Sequence, residues 1–138
     1  MQEEHIMKEL DDFLASWEAT AEGNRAAFLA LKEHLEGLGA VLNFVSRPGI
    51  TYSLRASNPA QKKRELFVMV DVIEDTPRWL SVCFYQDLVS DPDGRGDSVP
   101  GGLLGEDAIC FDMEQADDGQ LLYLKRRLDE AWMQAQKA

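Results

Sequence analysis

Apolar residues recur at helical spacing at both ends of this chain and at strand spacing through its middle. Over residues 3–20, Ile6, Leu10, Phe13, Leu14 and Trp17 fall mostly at steps of three and four, with Glu and Asp between them, the pattern of an amphipathic helix. Gly23-Asn24 interrupts it, and Asn24 is a residue type that caps a following helix. Phe28, Leu31, Leu35 and Leu38 then repeat the spacing until Gly37 and Gly39 supply stop signals. The opening reads as two helices, or one kinked helix.

The period then changes to two. Segments 41–46 and 50–56 flank Arg47-Pro48-Gly49, a turn by its Pro-Gly dipeptide. Residues 66–73 are apolar on both faces, as a central strand is. Segments 79–86 and 108–114 follow, and Leu121, Leu124, Leu128 and Ala131 form the stripe of a last helix, with Trp132 near its end. This order predicts a single α+β domain over 1–138: a mostly antiparallel sheet of about five strands, two N-terminal helices and one C-terminal helix. Parity assigns Ile50, Tyr52, Leu54, Leu80, Val82, Phe84, Ile109, Phe111 and Met113 to the face that meets the helices. The other face is mixed. It holds Arg55, Trp79, Ser81, Cys83, Tyr85 and Asp112, with Thr51, Ser53 and Cys110. Aromatics beside a few polar groups are what binding surfaces display, and the competing expectation is that the first helix covers this face through Ile6, Leu10, Phe13 and Trp17.

Between the last two expected strands lies SDPDGRGDSVPGGLLGED, part of a connection over 86–107 much longer than a hairpin needs. Asp91, Asp93 and Asp97 resemble calcium-loop ligands, but Arg95 stands at a ligand position and Gly102 where the bidentate Glu belongs. An Asp/Gly turn that caps its own backbone is the favoured reading. GRGDSV lacks the third glycine of a phosphate loop and sits among acids. Because Leu88, Val89, Val99, Leu103 and Leu104 punctuate the connection, it is expected to pack as a binding or interface loop. Leu103 and Leu104 would be pinned against the sheet or a second subunit, with residues 91–97 mobile until something binds.

Composition narrows the partners. The net charge is −11 in 138 residues, which disfavours nucleic acid and anionic membrane surfaces. No apolar run approaches the length of a membrane span. The acidic start lacks the features of a secretion signal, so the expected setting is cytoplasmic, with Cys83 and Cys110 as reduced thiols on one sheet face. Two solvated histidines, His5 and His34, and two packed thiols are favoured over a Cys83–His34 nucleophile–base pair. Asp71 interrupts the central strand as a buried acid or, preferred, as the partner of an arginine such as Arg55 or Arg78.

No catalytic residue, metal or cofactor is assigned. The expected function is a non-enzymatic binding or protein-interaction domain that uses the mixed face and the 86–107 loop for a peptide, protein or small-molecule partner, with a homodimer possible. Size, acidity and a helix-flanked sheet are superficially similar to those of acidic bacterial secretion chaperones, which cradle partner segments; the likeness extends to no motif. The alternative is a small hydrolase-like enzyme or cation-binding protein that uses Asp91, Asp93 and Asp97.

Overall fold

The computed structural model describes residues 2–137, with side chains from Met7 onward. The sequence readings on the side chains of His5 and Ile6 lie outside the described residues. Three helices, α1 (Gln2–Ser16), α2 (Asn24–Leu38) and α3 (Asp118–Lys137), accompany six strands: β1 (Val41–Arg47), β2 (Thr51–Ser57), β3 (Val68–Ile73), β4 (Trp79–Tyr85), β5 (Asp97–Leu103) and β6 (Glu106–Met113). The strands form one sheet in the order β1-β2-β3-β4-β6-β5, and every neighbouring pair is antiparallel.

Local chemistry explains the boundaries. Gly39 ends α2 in the left-handed region at φ 89°, where its N–H and that of Ala40 bond the carbonyls of Glu36 and Leu35; this is the paired C-terminal closure that glycine permits. Asp117 accepts the Gln120 amide and so caps α3. Asn24 has a different role from the expected cap. Its amide donates to the carbonyls of Arg78 and Glu114, both at 2.8 Å, and so ties the start of α2 to the ends of β4 and β6.

Register fixes the two faces. Leu54, Val70, Val82 and Phe111 align across four strands, as do Ala56, Val68, Phe84 and Ile109, and Tyr52, Val72, Leu80 and Met113. All twelve are buried. They meet the helices: Phe13 of α1 packs on Phe44 and Tyr52, and Tyr123 of α3 on Phe111. The parity reading therefore holds for this face except at Ile50, which lies in the β1–β2 turn and is 64% exposed. Since α1 contacts the apolar face, it does not cover the mixed one.

The expected long loop is corrected. Residues 97–103 form a sixth strand on the outer edge of the sheet, joined to β6 by a tight turn at Leu104-Gly105. The sequence DSVPGGL lacks apolar alternation, and Pro100 is tolerated because an edge strand has no neighbour on its outer side. Gly96 is required by space: a Cβ there would meet Ile109 Cγ1 and a Phe111 ring carbon at 2.8 Å.

Residues 91–97 are likewise held in place, contrary to the expectation of mobility. Asp91 accepts the Tyr123 hydroxyl and the amides of Arg95 and Gly96. The Arg95 guanidinium lies over the Tyr123 ring and bonds Gln120, while Ser90 bonds Glu130 through both its amide and its hydroxyl. The connection is strapped onto α3.

Candidate interaction face

The second face of the sheet carries no helix among the described residues. Its rows follow from the register. One row runs Val45, Ser53, Asp71, Ser81, Asp112; the next runs Asn43, Arg55, Met69, Cys83, Cys110, Asp97; a third holds Arg47, Thr51, Ile73 and Trp79. An antiparallel sheet face turned to water is expected to be polar. This one keeps Val45, Met69, Ile73 and Trp79 among its charges.

Of the residues nominated from sequence, Arg55, Trp79, Ser81, Cys83 and Asp112 come together here. Ser81 donates to Asp112 at 2.8 Å, Arg55 donates to Ser53, and the Trp79 indole N–H donates to Asp75. Tyr85 does not join them. It is buried at the end of β4 beneath the Arg64 guanidinium, 4.0 Å from the ring centroid, and burial with the nearby Glu106 charge raises its hydroxyl pKa. Arg64 in turn grips Asp87 and Glu106, and those bonds keep it protonated and hold the Asp87 carboxyl below its ordinary range. Leu103 is fully buried, whereas Leu104 stands 57% exposed in the turn, so only one of the two leucines is pinned.

The thiols are corrected too. Cys83 and Cys110 face each other across β4 and β6 and are joined as a disulfide. Parity placed both on one face, as expected, but their adjacency depends on β6 taking the inner position beside β4, which the sequence does not state. His34 bonds Asp129 of α3 at 2.7 Å, on the helix side of the sheet. No Cys83–His34 pair exists.

Asp71 is the residue that sequence reasoning undervalued. It lies on β3 between Ser53 and Ser81, and its Oδ1 is buried without a hydrogen-bond partner. Burial raises its carboxyl pKa, opposed by the Ser53 hydroxyl and by the charges of Arg55 and Arg47. Neither arginine is in an ion pair with it among the described residues. The other arginine considered as its partner, Arg78, instead binds Glu74 at 2.9 Å and lies over the Phe13 and Tyr52 rings.

The loop carboxylates are dispersed. Asp91 is satisfied by Tyr123 and backbone amides, Asp93 is beside Arg95, and Asp97 sits on β5 opposite Cys110. Among the described residues, no three His, Cys, Asp or Glu side chains converge as a metal site would require, and no helix is long and apolar enough to cross a membrane. Comparison with family models, curated proteins and solved structures finds no match to this chain.

Proposed function

We propose that this protein is a non-enzymatic interaction domain whose open sheet face receives a polypeptide partner. One observation carries the reading: all three helices pack on the opposite side, leaving a face of Arg55, Met69, Asp71, Trp79, Ser81 and Asp112 that is neither plainly polar nor covered. A buried carboxylate oxygen without a donor costs free energy unless something supplies one, and a partner seated on β3 and β4 would do so. The shape suits a flat, extended contact and not an enclosed small molecule.

Site-specific photo-crosslinking in cells tests it. A photoreactive residue at Ser81 should capture a discrete protein, while the same group at Met133, exposed on α3, should not. Equal, diffuse labelling from both positions would remove the basis for the proposal. We propose the cytoplasm as the setting. The Cys83–Cys110 disulfide weighs against that setting, because such bonds persist in oxidising compartments, and alkylation of the pair in intact cells decides.

A further inference from the structure

Charge on the open face is sorted by strand. The two arginines, Arg47 and Arg55, stand on β1 and β2. The three aspartates, Asp71, Asp112 and Asp97, stand on β3, β6 and β5. In the order β1-β2-β3-β4-β6-β5, both arginines therefore lie on the β1–β2 side of the face and Asp112 and Asp97 on the β6–β5 side, with Asp71 near the midline on β3. None of these five side chains is in an ion pair among the described residues. The three rows together hold one net negative charge (two Arg, three Asp), whereas the chain holds −11. The charge that would keep copies of this protein apart is thus concentrated elsewhere.

We infer that the partner on this face is a second copy of the same chain, packed sheet to sheet about a two-fold axis parallel to the strands. This rests on reading the open face as the recognition surface. The symmetry decides the orientation. Such an axis, placed near β3 and β4, carries β1 and β2 of each copy over β6 and β5 of the other, so Arg47 and Arg55 meet Asp112 and Asp97 twice. An axis across the strands would set like charge over like, because every strand would lie on its own counterpart. Isologous contacts require a self-complementary patch, and a face whose charge reverses across its midline is one.

Size agrees with this assignment. Six strands of about 7 residues, at ~4.8 Å between strands and ~3.3 Å per residue, present roughly 650 Å², so two faces bury about 1,300 Å², within the range of stable interfaces. Trp79, Ile73 and Val45, all part-exposed, supply apolar area beside Met69, which the single chain already buries. Aligned sheet packing leaves about 10 Å between the layers, room for interdigitated side chains of this length.

Sedimentation equilibrium of the full chain, combined with charge reversal, tests the inference. Wild type should show a monomer–dimer equilibrium that weakens as salt is raised. Arg55→Asp and Asp112→Arg should each weaken the dimer by at least about tenfold, and the double variant should recover to within about threefold, because opposite charges again face each other. Circular dichroism and thermal melting check that each variant is folded; should a reversal unfold the chain, Arg55→Gln is read in its place and should weaken association in the same direction. A wild-type chain that stays monomeric up to about 100 μM, weaker than interfaces of this size, overturns the inference. So does a dimer indifferent to both single reversals, or one that the double variant does not restore. Crosslinking from Ser81 to a different protein by a monomeric chain would overturn the second copy and leave the interaction reading standing.

Discussion

The Tyr123 hydroxyl of α3 donates to Asp91, and the same oxygen accepts the Asp93 amide, so one phenol fastens the β4–β5 connection at two points. Tyr123→Phe keeps the ring beneath Arg95 and Arg127 and removes only that oxygen. The expected cost is about 1–3 kcal/mol for the polar groups left without their partner, measured by urea denaturation. Trypsin should then cleave after Arg95, a bond protected in the parent. Burial alone would raise the Asp91 carboxyl pKa, but Tyr123, the Gly96 and Arg95 amides and the Arg127 charge outweigh it and hold it below its usual value. Its contribution is therefore present above the unfolded carboxyl pKa, about 3.9, and is lost as pH falls through the lower folded value. The Tyr123→Phe difference should shrink in that acid window.

Leu103 and Leu104 are neighbours with opposite surroundings. Leu103→Ala should cost about 2–5 kcal/mol, as removal of a buried leucine does. Leu104 is exposed and sits at φ 51° in the β5–β6 turn, where a branched side chain is strained. Leu104→Asn should raise stability by about 0.5–1 kcal/mol, since Asn tolerates that region and Asn-Gly is the preferred pair for a tight hairpin. Paired thermal melts decide; a Leu104→Asn variant less stable than the parent would show that the leucine packs on something after all.

Asp71 has the opposite linkage from Asp91. Its carboxyl pKa is raised by burial, so the ionised form opposes folding, and stability attached to this group is present below the unfolded pKa and lost as pH rises through the folded one. Asp71→Asn should raise the melting temperature at pH 7, and the gain should vanish below about pH 4. A gain independent of pH would mean that ionisation of Asp71 is not its cause.

The Cys83–Cys110 bond closes a loop with a sequence separation of 27. Loop-closure entropy values such a bond at about 3–4 kcal/mol. Cys83→Ser/Cys110→Ser should lose that much in denaturant titration without changing the sheet. Thiol titration of the unfolded protein, without reductant, should find no free thiol.

Much of the fold is legible in the sequence because burial alternates cleanly: the twelve residues that align across β2, β3, β4 and β6 on the helix side are apolar without exception. β5 was not legible for the converse reason. Asp97–Leu103 is exposed at every position but the last, so no buried face imprints a period on it. The candidate face was half legible. Parity gathers Arg55, Trp79, Ser81, Cys83 and Asp112, but the sorting of charge and the meeting of Cys83 with Cys110 depend on strand order, and β6 lies inside β5 for reasons of tertiary packing that no local spacing records. Tyr85 shows the limit of parity at a strand end, where Arg64 from another segment covers a residue that alternation alone would leave open.

The strapping of the β4–β5 connection onto α3 bears on the order in which the molecule can assemble. The strands β1–β4 pair in chain order, each with the one before it. Beyond β4 the chain must pass the place reserved for β6, lay down the outer strand first and return inside it. The bonds that hold this detour, from Tyr123, Gln120 and Glu130, belong to a helix that follows every strand in the chain. During synthesis β1–β4 can therefore pair before α3 has emerged, whereas the bonds that strap the β4–β5 connection can form only once it has.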